Sequence, residues 1–450
     1  MLAEAIARYG ELLGQGTLAA DSHDHLTRLQ GDHGLYFGTR PVCTVLRPRF
    51  VTPAQYRFLH DRVNKLLPAF QIVHDRALGD PTFRRQLRLF DWEEELLAID
   101  PGYPSAAPTS RLDCFFSDDQ SLWFTEYNTE TPAGAGYTDA LTDVFLSLPV
   151  MQEFQRDYLT WSVPNRPGVL HALLDSYLRW RGNRNDPPRI AILDWREVPT
   201  FSEFVLLYDY FHSMGVEVRN VDPREVEYVD GRLMAGDYHI TLIYKRVLLS
   251  ELYQQGGLEH PVIRAAREGA VCLVNSFRCK ILFKKASLAV LSDERNQWLF
   301  DASAREVIAS HIPWTRVVED RRTEYQGRSV DLLPFIRDHR EHLVLKPNDE
   351  YGGRGIVLGW RATAEEWEAT IALALREPHV VQDRIRLPFE SYPSWEDGRL
   401  AFADRVLDTD PYVAFGSYMH GCLTRLSTDE LVNVSAGGGS AVPTFVIEPR

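Results

Sequence analysis

Two stretches of this sequence carry side chains whose types and spacing could manage a polyphosphate and a divalent cation. The first is residues 343–358, LVLKPNDEYGGRGIVL. An apolar strand ends in Lys346, and Gly352-Gly353-Arg354-Gly355 precedes a second apolar run. Glycines let main-chain N–H groups approach an anion with no Cβ in the way, and they tolerate positive φ. A lysine at a strand end adds a point charge for phosphate oxygens. The pattern GxxxxGK[ST] is absent and the lysine precedes the glycines, so this is not a Walker loop. The plain alternative is a β-hairpin with a flexible turn and a solvated lysine.

The second stretch pairs Arg111-Leu112-Asp113 with Glu126-Tyr127-Asn128 across the turn-like Asp118-Asp119-Gln120. Side chains at i and i+2 share one face of a strand. If the strands pair, two carboxylates, an amide oxygen and a guanidinium converge on one patch. Oxygen donors of this kind suit Mg²⁺ bound by few side chains plus substrate phosphates. The guanidinium can take a phosphate or carboxylate bidentately. The bland alternative is the solvated face of an amphipathic hairpin with a cross-strand ion pair. Residues 129–136, TETPAGAG, then leave the patch as a loop.

These candidates need elements to position them. The first hundred residues read as mainly helical, with helical spacing over Ala3 to Leu13 and Pro53 to Leu67. Pro101 to Pro108 has linker composition. Strands at Arg111 to Ser117 and Leu122 to Asn128 form the hairpin signal. From residue 166 to 275 the pattern alternates. Strand Arg189 to Leu193, helix Phe201 to Met214, strand Val216 to Val218, and strands at His239 to Tyr244 and Val271 to Val274 predict a parallel sheet. A helix over Lys280 to Leu291 leads to strands at Leu343 to Leu345, Ile356 to Leu358 and Val380-Val381, with a helix over Ala364 to Leu375. Pro411 to Ile447 reads as antiparallel strands joined by the glycine-rich Ala436 to Ser440. Tyr244-Lys245-Arg246 ends a strand and could bind an acidic group, or be a basic strand end. Asp194-Trp195-Arg196-Glu197 follows a strand at the carboxyl edge where open α/β sheets bind ligands.

Composition bounds the function. The 450 residues suggest two or three domains, and 44% hydrophobic with 25% charged residues is a globular balance. A net charge of −14 argues against a nucleic-acid partner. The five dispersed cysteines show no CxxC pair, and the fourteen histidines show no HExxH. No basic leader with an apolar core and no 18-residue apolar run is present, so the expectation is a cytoplasmic protein with no membrane segment.

A lysine before a glycine-rich loop, together with an R-x-D … E-x-N strand pair, resembles the ATP-grasp superfamily. Here the E-x-N element precedes the loop by more than two hundred residues. That order resembles the circularly permuted branch that includes glutathionylspermidine synthetase. Asn275 to Leu291 resembles the branch's N-x-x-x-S-R-L-L-x-N-K-A-L-L-A-L-L segment, which aligns Lys285 with the first nucleotide lysine. Val380 to Asp383 resembles the hinge whose Gln382 and Asp383 would line the adenine and ribose pocket. The tail from Asp408 to Ser440, with Arg425, Asn433 and Gly437-Gly438-Gly439, also resembles the branch. Departures are Lys280 for the usual Arg, Lys284 for Asn and Asp383 for Glu; which of Lys280, Lys284 and Lys285 contacts the nucleotide stays open.

The resemblance covers about residues 101–450. It implies α/β and α+β architecture: an N-terminal mostly helical region (1–100), a permuted ATP-grasp strand pair carrying metal ligands (101–165), a Rossmann-like pre-ATP-grasp domain (166–275) and the nucleotide-binding region (276–450). It also implies an ATP-dependent carboxylate–amine ligase that uses ATP and Mg²⁺ through an acylphosphate, with a small-molecule or peptide carboxylate and an amine as co-substrates. Asp113, Glu126 and Asn128 would be metal ligands, and Arg111 would meet the transferring phosphoryl group. Lys285, Lys346, Gly352, Gly353, Arg354, Gly355, Gln382, Asp383 and Arg425 would bind the nucleotide. A related branch has a functional arginine near the position of Arg246, which makes Arg246 a further catalytic candidate. Kinase-like phosphoryl transfer and an inactive nucleotide-binding module are the alternatives.

Overall fold

A computed structural model describes residues 1–117, 121–430 and 439–450. The expected turn at Asp118-Asp119-Gln120, and Asn433, Gly437 and Gly438 of the tail, lie outside the described residues. Among the described residues no helix is long and apolar enough to cross a membrane.

The N-terminal region is helical but not separate. Helices α1 (Leu2–Leu13) and α2 (Leu18–Asp32) are followed by the short strand β1 (Arg49–Val51) and by α3 (Pro53–Gly79). Helix α3 starts at a capping box, in which Thr52 accepts from the Gln55 N–H and Gln55 accepts from the Thr52 N–H. It runs through Pro68 well past the predicted end at Leu67. Its apolar face packs in one core with the site hairpin and with residues 281–312. Helix α4 (Asp91–Leu97) closes this region. The proline-rich segment 101–108 is not a free linker: Tyr103, Ala106 and Ala107 are buried, and the Tyr103 hydroxyl donates to the Leu273 carbonyl at 2.6 Å.

Strands β2 (Thr109–Phe116) and β3 (Leu122–Asn128) form the predicted antiparallel pair. The register sets Arg111 opposite Asn128 and Asp113 opposite Glu126, with a bulge after Asp113. Four strands, β4 (Arg189–Leu193), β5 (Glu217–Val221), β6 (Leu242–Lys245) and β7 (Cys272–Val274), make a wholly parallel sheet in the order β7-β6-β4-β5. The run predicted as one strand from His239 to Tyr244 is split: Tyr238–Ile240 pairs in a separate antiparallel sheet, and only β6 joins the parallel one.

The helix predicted over Lys280 to Leu291 is interrupted. Lys280–Phe283 and Ala286–Ser292 are helical, but Lys284 has φ −56° and ψ 126°. Next comes an antiparallel sheet in which β8 (Leu343–Pro347) pairs with β9 (Val357–Leu358) and with β10 (His379–Asp383). The chain ends in long antiparallel strands. Strand β11 (Arg399–Ala414) pairs with β12 (Tyr418–Ser427) and, through Tyr412 to Ala414, with β2. That last pairing joins the C-terminal strands and the hairpin in one six-stranded sheet.

Candidate active site

One continuous cavity of about 1760 Å³ is lined from both candidate stretches. Arg111, Asp113, Glu126 and Asn128 line it from the β2–β3 hairpin, Lys346 and Gly352 to Arg354 from the β8–β9 turn, and Gln382 and Asp383 from β10. Arg425 and Arg246 line it as well. Lys285 and Gly355 are not among the lining residues, although Lys285 stands immediately behind the wall.

The hairpin wall is a network of charges. Arg111 donates to both oxygens of Asp113, at 2.7 and 2.8 Å, and to the Ala133 carbonyl at 2.7 Å. Arg425 donates to Asp113 at 2.9 Å and to Asp408 at 2.6 Å, and lies 2.9 Å from Asp410. Burial alone would raise the Asp113 carboxyl; the two guanidiniums overcome it and hold it below the usual carboxylate range. Asp410 shows the opposite outcome. Burial pushes its carboxyl well up, and Arg425 does not compensate while Asp113 and Asp408 stand close. Three carboxyls against two guanidiniums are balanced when Asp410 keeps its proton.

The lysines have separate environments. Lys346 donates to the Gln382 amide oxygen at 2.7 Å, and burial brings its ammonium down to about 8, with Lys285 lowering it further against the opposing pull of Glu126 and Asp113. Gln382 also donates to the Thr315 hydroxyl at 2.9 Å. Lys285 lies 3.4 Å from Glu126 Oε1 and donates to the Glu350 carbonyl, which ties the lysine–glycine side to the hairpin. Lys280 and Lys284 face elsewhere. They are buried with Glu93, Glu130 and Asp349: Lys280 lies 3.0 Å from Glu130, and Lys284 lies 2.8 Å from Glu93 and 3.0 Å from Asp349. Of the three, Lys285 is the one beside the cavity wall. Burial raises the Asp383 carboxyl to about 6.

Hard-cation donors are present, in a different state from the one expected. The Asn128 amide oxygen is buried without a hydrogen-bond partner, and Glu126 faces the cavity with Lys285 alongside. Both fit Mg²⁺ shared with phosphates. Asp113 has its oxygens taken by Arg111 and Arg425, so it acts here as the keystone of the arginine pair. Arg425, expected at the nucleotide, is likewise engaged with Asp113, Asp408 and Asp410. The sequence reading missed Asp408 and Asp410 as site residues; the alternation Asp408-Thr409-Asp410 within a strand was the available signal, since it puts both on the Arg425 face.

At the carboxyl edge of the parallel sheet, Arg246 is buried. It donates to the Pro132 carbonyl and, at 3.4 Å, to the Tyr244 hydroxyl, and lies 3.9 Å from Glu203. Glu203 accepts from the Gly134 and Gly136 N–H groups at 2.7 and 3.1 Å. Together they fasten the loop that leaves β3.

No family model matches the sequence. The chain is 24% identical over 458 residues to an uncharacterized protein of Mycobacterium tuberculosis, covering 95% of this chain and 78% of the relative. An uncharacterized Synechocystis protein is 23% identical over 360 residues, covering 74% of this chain and 67% of the relative. Among solved structures, it is similar to a glutathione synthetase-like effector from Globodera pallida in its apo form. The TM-score is 0.62 and the identity 12%, with 95% of this chain and 96% of that chain covered. That likeness spans nearly the whole chain and shows the fold alone, a mixed α/β architecture.

Proposed function

We propose that this protein is an ATP-dependent carboxylate–amine ligase that works through an acylphosphate, with its ATP-grasp elements in circularly permuted order. One observation carries the reading: segments more than two hundred residues apart, the carboxylate hairpin and the lysine–glycine turn, line a single cavity and are bridged by Lys285, which lies 3.4 Å from Glu126 and donates to the Glu350 carbonyl. A solvated hairpin and an unrelated surface loop would not meet there. The permutation rests on the order of these segments, with the hairpin first.

The chemistry asks little of covalent catalysis. A carboxylate is a poor electrophile, and phosphorylation gives it a leaving group that an amine can displace. The protein's task is then to position the partners and neutralise charge. In this reading Lys346 and Lys285 hold phosphate oxygens, and Gly352 to Gly355 present main-chain N–H groups and close the site to water. Gln382 and Asp383 take the adenine and ribose. Arg111 turns from Asp113 to the phosphoryl group in transfer, while Arg425 keeps Asp113 paired. Glu126 and Asn128 would hold Mg²⁺, which when bound supplies charge neutralisation at the phosphates.

Release of ADP should require a carboxylic acid together with an amine. Hydroxylamine in place of the amine should trap a hydroxamate. A phosphate ester instead of a hydroxamate would assign kinase-like transfer, and nucleotide binding without turnover over a broad panel would assign an inactive module.

A further inference from the structure

The cavity reaches beyond the phosphate region to the carboxyl edge of the parallel sheet, where a second group of charges lines it. Asp194 follows β4 and Arg246 follows the adjacent β6; the Arg246 N–H bonds to the Leu193 carbonyl at 2.9 Å, so the two residues leave the sheet side by side. This is the position where open parallel sheets receive ligands. Asp194 is 8% exposed. Its Oδ1 accepts from the Trp195 N–H at 2.8 Å, and its Oδ2 has no hydrogen-bond partner among the described residues. Glu251 lines the cavity beside it, held through Oε2 by the Trp195 indole N–H at 3.0 Å and the Leu248 N–H at 3.3 Å.

The nearby cations are already engaged: Arg246 is committed to Pro132, Tyr244 and Glu203, and Lys245 is buried against Glu130 at 3.4 Å. The cavity wall here therefore carries two carboxylates with no cation at ion-pair distance among the described residues, and Arg246 and Lys245 act on Asp194 only from farther away. We infer that Asp194 and Glu251 form the subsite for the ammonium group of a cationic amine, the co-substrate that attacks the activated carboxylate. The site is positioned for that role: Tyr351, on the glycine turn beside the phosphate region, lines the same stretch of cavity and feels the charges of both carboxylates. Burial raises the Asp194 carboxyl to about 7, with Trp195 and Arg246 acting against it, so an incoming cation relieves a carboxylate that the fold leaves under-compensated. Arg246 is consumed in holding the loop after β3, and Arg354 lies over the Tyr351 ring on the glycine turn. The paired carboxylates favour an amine over a zwitterionic amino acid, whose own carboxylate they would repel.

This inference rests on the ligase reading but is tested apart from it. The full chain, saturated with ADP and Mg²⁺, would be titrated calorimetrically with 1,4-diaminobutane, 1,4-butanediol and alanine. Saturable binding of the diamine is expected, at least tenfold tighter than alanine, with no heat from the diol. Asp194→Asn should weaken the diamine at least tenfold, Asp194→Glu should restore part of the affinity, and ADP affinity should be unchanged in both. Equal diamine affinity in wild type and Asp194→Asn, no diamine binding to the wild type, or alanine binding as well as the diamine would each overturn the subsite. The titration is repeated without nucleotide. Diamine binding that depends on Asp194 in a protein that fails to bind ADP would uphold the subsite and sink the nucleotide reading instead.

Discussion

On one side of the cavity, the buried Arg111, Asp113, Asp408 and Asp410 and the half-buried Arg425 brace one another across three strands of a single sheet. On the other side, Tyr351 to Gly355 stand largely exposed above a firmly held root. There Asn348 accepts from the Ala286 N–H at 2.8 Å and donates to the Leu87 carbonyl at 2.9 Å, and Asp349 sits against Lys280 and Lys284. A wall built this way keeps its backbone geometry even as the Arg111 side chain turns to a ligand; an exposed turn can change shape over one. Disturbing the first should affect folding and chemistry together, whereas disturbing the second should affect mainly ligand handling.

The largest effects belong to the hairpin wall. Asp113→Asn and Glu126→Gln should each lower ADP release by about 10²–10³-fold, the scale for losing a group that stabilises the transition state. The comparison is sharpened by thermal denaturation. Asp113→Asn removes the shared partner of the buried Arg111 and the half-buried Arg425 and should cost about 3 kcal/mol of stability. Glu126→Gln, whose ion-pair partner is Lys285 at 3.4 Å, should leave stability near wild type. Equal destabilisation by both would erase the distinction between scaffold and ligand.

On the opposite wall, Lys346→Met should weaken nucleotide binding about 10- to 100-fold, the range for losing a hydrogen bond to a charged group. It should not lower stability, because half-buried Lys346 has an amide as its partner and, among the described residues, no carboxylate within ion-pair distance. A smaller effect follows at Gly355, where φ is +69° and an added Cβ would lie 2.7 Å from the Pro347 ring. Gly355→Ala carries about 1–2 kcal/mol of left-handed backbone strain. It should slow turnover about tenfold in single-turnover kinetics and lower stability by about that strain.

How much of this was legible in the sequence follows from the range of the interactions. The hairpin was readable because strand alternation alone puts Arg111 beside Asp113 and Glu126 beside Asn128, and the β8–β9 turn because its glycines and lysine are neighbours in the chain. The interruption of the 280–291 helix was not readable. Its pattern is helical, but Lys280 and Lys284 turn to Glu93, Glu130 and Asp349, which come from three distant segments, and the backbone yields at Lys284. Asp408 and Asp410 escaped for the same reason: a buried acid on a strand is unremarkable until its partner Arg425 is placed. The first hundred residues offered helices without a role; in the fold, α3 supports the hairpin and Glu93 supplies a carboxylate to the lysine cluster.

The smallest prediction concerns protons, and it separates the two walls by the pH window in which each acts. Lys346 has its folded value lowered from 10.5 to about 8, so between those pH values the unfolded chain holds more protons than the folded one. Stability from this group therefore rises with pH across that window. A bound polyphosphate reverses the balance by favouring the ammonium form. Nucleotide binding should then take up a proton above pH 8 and almost none at pH 7, and affinity should fall about fourfold between pH 7 and 8.5. Calorimetry in two buffers of different ionisation enthalpy reads the uptake directly, and Lys346→Met should abolish it. The Asp113 carboxyl, held below its ordinary range by Arg111 and Arg425, has the same sign in an acidic window: its contribution is present at neutral pH and is lost as acid protonates it. Proton uptake at pH 9 that persists in Lys346→Met would remove Lys346 from the phosphates and leave the turn without its charge.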